Sequence, residues 1–334
     1  MSFKRLDPEE ITISAESVVA PLWSTDTVYL TTFYTSSGQV SSNTGNFYYE
    51  LYENNPASAA TYNVQFSIAY GHKTGLGTSL YNTNVTGKSP ASTIYGQYRN
   101  LVFGDEETDF TFGTQTSDYI YAITVDRARY KEKLFPGSFN LQLTNGAQTI
   151  HLTDSSKDTT TVSYVDAGRV YDIISGSYGT AYSGTGFLTS GASYGKFLPD
   201  VGIILLNGTA LDDASQGITL GTGVGENTDE GNLDKLYSAI KTGASGSLQS
   251  EETITSNLVF VRVRNSEFNY STNPSYITGS GELRHDIMIN SPQAYITTVG
   301  LYNENNDLLA VAKLSRPQVK DFTKESLLRI KLAY

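Results

Sequence analysis

The chain contains no cysteine, so neither a disulfide framework nor a Cys-based zinc site can form. Packing alone must hold the fold, which suits a reducing cytoplasm. Histidine is nearly absent too. His72, His151 and His285 are far apart, and none sits in a two-His helical zinc motif. Charged residues make up only 17%, and the balance is acidic, with a formal net charge of -11 and a pI of about 4.8. Nucleic-acid phosphate requires a clustered basic surface, so nucleic acid is not an expected partner. No run of about 18 apolar residues occurs, and no apolar signal segment follows Met1. A soluble protein that is neither exported nor membrane-bound is expected. No repeat with a period of about 20–50 residues is visible, which argues against solenoids and propellers.

What fills the 334 residues is Ser, Thr, Asn, 30 Gly and 24 Tyr. Tyr and Thr favour a half-buried pleated surface, while Gly and Asn favour turns. The expected fold is mainly β and β-sandwich-like, with long loops and one or two short helices. Residues 1–20 read as an extended arm bracketed by Pro8 and Pro21, either a tethered edge strand or a lash across a neighbouring subunit, with contact to the neighbour expected. Residues 21–160 read as a β domain with one helix, 161–250 as a loop-rich insertion, and 251–334 as a C-terminal β region packing with the first domain. The helix is signalled by Ser89 as cap, Pro90 at the first position, and Ile94, Tyr95, Tyr98, Leu101 and Val102 at helical spacing, stopping near Gly104. A weaker helix spans about Leu233 to Lys241. Asn145-Gly146 predicts a hairpin turn, and Val201 to Leu206 a buried strand. Alternation predicts a second hairpin, Tyr295 to Tyr302 with Leu308 to Leu314.

Several patterns invite chemistry. Gly191-Ala-Ser193-Tyr-Gly195, followed by Asp200 and His285, has the hydrolase order of nucleophile, acid and base. That motif needs a strand before the Ser and a helix after it, and Lys196-Phe-Leu-Pro199 does not start a helix. Gly221, Gly223 and Gly225 lack the third glycine of a dinucleotide loop, because position 226 is Glu. Gly87-Lys88-Ser89 ends like a phosphate loop, but Asn82 stands where glycine is needed. No catalytic residue, cofactor or metal is therefore expected. The cluster Asp105, Glu106, Glu107 and Asp109 has oxygen ligands without a recognised calcium-loop spacing, and reads as an acidic interface turn. Arg127, Arg129, Lys131 and Lys133 alternate, so an extended strand would place all four on one face. That stripe is either a solvated edge or a docking surface for an acidic partner, with Asp105 to Asp109 a candidate patch.

The segments Glu267-Phe-Asn-Tyr-Ser-Thr-Asn-Pro-Ser-Tyr276, Ile289-Asn-Ser-Pro-Gln-Ala-Tyr-Ile-Thr-Thr-Val-Gly-Leu-Tyr302 and Leu308-Leu-Ala-Val-Ala-Lys313 resemble virion structural proteins of T4-like contractile-tailed bacteriophages of cyanobacteria. Asn100-Leu-Val-Phe-Gly-Asp-Glu-Glu-Thr-Asp-Phe-Thr-Phe112 and Arg127-Ala-Arg-Tyr-Lys-Glu-Lys-Leu134 belong to the same resemblance. The C-terminal hairpin resembles tail-fibre and baseplate-attachment modules. The resemblance implies a non-enzymatic structural subunit in the virion, assembled in the host cytoplasm, in a homo-oligomer or symmetric array with other virion proteins. Tail, baseplate or fibre attachment is the first expectation. The alternatives are a capsid-decoration or neck protein, and a host-glycan-binding module.

Overall fold

A computed structural model of the chain describes residues 4–35, 47–78, 89–182, 191–225 and 231–333. In chain order the strands are β1 (Ile11–Pro21), β2 (Tyr29–Leu30), β3 (Tyr48–Tyr52), β4 (Val64–His72), β5 (Thr111–Phe112), β6 (Gln115–Thr116), β7 (Tyr119–Val125), β8 (Lys133–Leu134), β9 (Asn140–Asn145), β10 (Gln148–Asp154), β11 (Ser163–Val165), β12 (Gly168–Ser177), β13 (Thr180–Ala181), β14 (Gly195–Leu198), β15 (Ile203–Asn207), β16 (Gly246–Ser247), β17 (Gln249–Val263), β18 (Ala294–Tyr302), β19 (Leu308–Lys320) and β20 (Ser326–Ala333). The helices are α1 (Pro90–Phe103), α2 (Gly208–Asp212), α3 (Asn232–Gly243) and α4 (Ile287–Asn290). The fold is mainly β, as the composition predicts. The two helices read from sequence are α1 and α3, and the other two are single turns.

The chain divides into two units, residues 18–252 and residues 1–17 with 253–334. The division at 252 lies two residues from the expected boundary at 250, whereas none falls at 160. Residues 161–250 are not a loop-rich insertion, because β12, β14 and β15 stand in the middle of the main sheet. Nor is the amino-terminal segment a free arm, since β1 pairs with β17. Its largely exposed side chains hid that pairing from a reading based on burial.

In residues 18–252 the main sheet runs β2-β16-β9-β10-β12-β14-β15-β7-β4-β3, with β11 and β13 attached to β12. It curls until its ends meet. Tyr34, beyond β2, forms a bridge to Tyr52 of β3, with main-chain N–H···O distances of 2.9 and 2.8 Å. Alternation builds the core. Tyr121, Ile123 and Val125 of β7, Ile204 and Leu206 of β15, and Phe66 and Ile68 of β4 join one apolar cluster with Leu233, Leu236 and Ile240 of α3. Ile120, Ala122, Ile203 and Leu205 face the other way and pack with Tyr95 and Val102 of α1, and with Phe110 and Phe112. β15 is therefore buried on both faces, which explains its unbroken apolar run. A small apolar hollow of about 30 Å³ is lined by Trp23, Phe33, Phe66 and Ile204, and offers a water no polar partner.

Helix α1 starts where the sequence predicts. Ser89 accepts a hydrogen bond from the Ser92 N–H (3.4 Å), Pro90 supplies the first helical residue, and Gly104 closes the helix in the left-handed conformation. Gly87 and Lys88 lie outside the described residues.

A buried polar clamp lies next to the sheet closure. The Glu53 carboxylate accepts from the Asn63 N–H (3.1 Å to each oxygen) and from Gln65 Nε2 (2.7 Å). Gln65 also donates to Ser24 Oγ (2.7 Å), and Thr32 Oγ1 donates to the Glu53 carbonyl (2.8 Å). Burial pushes the Glu53 pKa up, but the N–H donors from the main chain, Asn63 and Gln65 outweigh it and hold the carboxyl below its usual range. A carboxyl with a depressed folded pKa stabilises the fold above its unfolded pKa of about 4.3, and that stability is lost as pH falls through the folded value. Glu53→Gln should therefore lower the melting temperature at pH 7. The deficit relative to wild type should shrink as both are melted at progressively lower pH through the acid range. A pH-independent deficit would mean that shape, not charge, makes the clamp.

Candidate assembly interface

The predicted basic stripe does not form. Residues Arg127–Arg129 are a 3₁₀ turn, capped by the Asp126 carboxylate accepting from the Ala128 N–H at 3.1 Å. The turn breaks the period of two on which the stripe depends. Arg127 folds back over the Tyr130 ring, 4.6 Å from its centroid, and donates to the Tyr130 and Lys131 carbonyls. Arg129 is half-buried. Lys131 reaches into solvent and pairs with Glu252 at 2.7 Å. Lys133, in β8, is directly opposite Glu251 of β17, and their charged atoms are 3.9 Å apart. Lys131 and Lys133 thus meet carboxylates of β17 within the chain, in place of Asp105–Asp109.

That acidic turn is also largely satisfied locally. Thr108 donates to Asp105 through Oγ1 and N–H (both 2.6 Å), and so does the Glu107 N–H (2.8 Å). These bonds hold the Asp105 carboxyl below its usual pKa. Asp109 pairs with Lys73 at 2.6 Å and approaches Arg99 at 3.8 Å. Only Glu106 and Glu107 point into solvent. Among the described residues, no group of three or more acidic or histidine side chains is placed to hold a metal.

Ser193 is 3% exposed and lies before β14, not before a helix. Its hydroxyl donates to the Gly195 carbonyl (3.1 Å) and is 3.3 Å from Asp172. Asp200 is committed to Arg169, whose Nη2 donates at 2.6 Å. His285 is exposed and belongs to the other unit. The elbow pattern has a packing origin instead. Gly191 takes a positive φ of 76°, and a Cβ on Gly195 would strike the Leu205 carbonyl of the neighbouring strand. Gly223 is locked by Asn232, which accepts from its N–H and donates to its carbonyl at 2.9 Å each. His72 is buried and stacked on Tyr119, and burial pushes its pKa down. His151 packs edge-on against Tyr182.

The unusual surface lies in residues 1–17 and 253–334. The buried apolar side chains described there are Val259, Val263, Ala294 and Ile330. Against these four stand exposed Ile13 (71%), Ile287 (72%), Ile289 (65%), Tyr295 (59%), Leu309 (67%), Val311 (58%) and Leu327 (64%). Strands β18 and β19 form a sheet of two strands only, with register shifts between Ile296 and Thr298 and between Leu301 and Tyr302. A two-stranded sheet on its own is marginal in water. The buried Lys320 ammonium is matched by three acceptors, Asn269 Oδ1 (2.7 Å), the Asp321 carbonyl (2.9 Å) and the Asn265 carbonyl (3.0 Å). Charge is also unevenly divided. This unit carries eleven Lys and Arg against eleven Asp and Glu, leaving twelve against twenty-three, and the whole -11, on residues 18–252.

No family model, curated protein or solved structure matches the chain. The candidate site therefore rests on geometry: an electrically neutral unit with little core and much exposed apolar surface. The sequence carried a signal for it, since no charged residue occurs between Asp286 and Glu304.

The pairing of Lys131 and Lys133 predicts opposite outcomes for two similar substitutions. Lys131 is 73% exposed, so Lys131→Glu should change stability by less than about 1 kcal/mol. Lys133 and Glu251 have side chains only 18% and 12% exposed, and Lys133→Glu leaves two carboxylates facing each other. It should cost about 2 kcal/mol, between the values of exposed and fully buried pairs. Denaturant melts of the two variants beside wild type check both figures.

Proposed function

We propose that the chain is a non-catalytic structural subunit of a tailed-bacteriophage virion, placed in the tail, baseplate or fibre-attachment apparatus. Its partners are other virion proteins and further copies of itself, and it enters the particle during assembly in the host cytoplasm. The observation that carries this reading is the poverty of core in residues 1–17 and 253–334. Four buried apolar side chains are few for a unit of this length, and its exposed apolar side chains outnumber them. A subunit that completes its burial only among neighbours has this character. The resemblance of Glu267–Tyr276 and of the β18–β19 hairpin to phage virion proteins gives the neighbours their class.

The test is composition of particles. Mass spectrometry of gradient-purified virions from the phage that encodes the chain should find it at a fixed stoichiometry, resistant to salt washing. Antibody against residues 18–252 should decorate tails in electron micrographs. Its absence from washed particles would overturn the proposal, and decoration of the head would move it to a capsid or neck position.

A further inference from the structure

We propose that two copies of the chain pair through β18, edge to edge and antiparallel about a two-fold axis, joining their hairpins into one four-stranded sheet. The inference rests on reading the chain as an assembling subunit, and it names the partner and the element.

The two edges of the hairpin are chemically different. β19 carries Lys313, Arg316 and Pro317, the charged residues and proline that blunt an edge against further pairing. β18 reads Ala-Tyr-Ile-Thr-Thr-Val-Gly-Leu-Tyr, with no charge and no proline, and β19 is the strand with which it pairs. An unblunted edge rich in β-branched and aromatic residues is a template for another strand. Occupation by a second copy follows from charge and register. The unit bearing β18 carries no net charge, so its copies add no repulsion of their own where they meet.

Directly opposed residues in an antiparallel pair share one hydrogen-bonding class, so a two-fold axis places one residue opposite its own copy. Full overlap of Ala294–Tyr302 puts Thr298 on that axis. Tyr295 then faces Leu301 and Thr297 faces Val299, while Thr298 faces Thr298, all favourable cross-strand pairs. Two copies also convert two marginal two-stranded sheets into four strands, enough for a stable sheet.

Because the chain has no cysteine, Thr298→Cys supplies a single thiol at the axis. Facing residues on paired strands have Cβ atoms about 4.5–5.5 Å apart, close enough for a disulfide with small adjustment. Full-length Thr298→Cys should form a covalent dimer under mild oxidation. Lys313→Cys, on the blunted strand, should remain monomeric in the same conditions. Sedimentation should show wild type dimerising with concentration, and Thr298→Lys should weaken the dimer about tenfold or more by opposing like charges. Circular dichroism of Thr298→Lys checks that it stays folded; if it unfolds, the cysteine pair decides alone. A wild-type chain that is monomeric at every soluble concentration overturns the proposal, as does equal cross-linking of the two cysteine variants. A monomer still found in virions would sink the pairing and leave the structural-subunit reading standing. Cross-linking of the Thr298→Cys variant to a different protein in particles would overturn self-pairing and give the edge another occupant.

Discussion

A long sheet must find partners for the peptide groups of its last strands, and residues 18–252 meet that constraint by closure. The two hydrogen bonds between Tyr34 and Tyr52 join the ends of a ten-strand path. Everything inside depends on them. With the ends joined, one face of every strand points inward, and alternation suffices to build the core. The Glu53 clamp secures that closure with hydrogen bonds instead of apolar contact, which makes it sensitive to protonation. α1 covers the outer face of β7 and β15, so the strands buried on both sides are the ones that read as continuous apolar runs.

Residues 1–17 and 253–334 follow the opposite logic. Among the described residues β18 and β19 stand apart from any larger sheet, and β20 ends its own. Burial is slight and polar contacts are local, as in the hydrogen bonds around Lys320. The partition of charge fits this division of labour. The closed unit carries the repulsion that keeps a protein soluble, and the open unit carries none. Net charge and exposed apolar surface are thereby concentrated in different parts of one chain.

The sequence revealed features whose cause is local. α1 could be read because Ser89, Pro90 and Gly104 act within a few residues of themselves. β15 could be read because burial on both faces leaves only apolar side chains. The β18–β19 hairpin could be read because its alternation is regular. The basic run misled, because a period of two is informative only in an extended chain, and Asp126 caps a turn there instead. Residues 161–250 looked like loop because Gly and Ser mark turns statistically, whereas Gly195 is in a strand where a neighbouring carbonyl leaves no room for a side chain. Sheet closure and the isolation of β18 were not legible at all. Alternation reveals which face a residue takes, but not which strand lies beside it.

The division of the chain also sets an order in time. β1 leaves the ribosome well before its partner β17, which follows more than two hundred residues later. At typical synthesis rates that interval is roughly ten to fifty seconds, long enough for an intervening domain to fold as it emerges. The closed unit is therefore complete while the open one still lacks β17, β18, β19 and β20. The exposed apolar side chains of Ile287, Leu309 and Leu327 appear only after the closed unit has been made. Nascent chains crowded on one messenger are thus acidic and mutually repelling while the closed unit is made, and gain the neutral, apolar surface of the other unit afterwards.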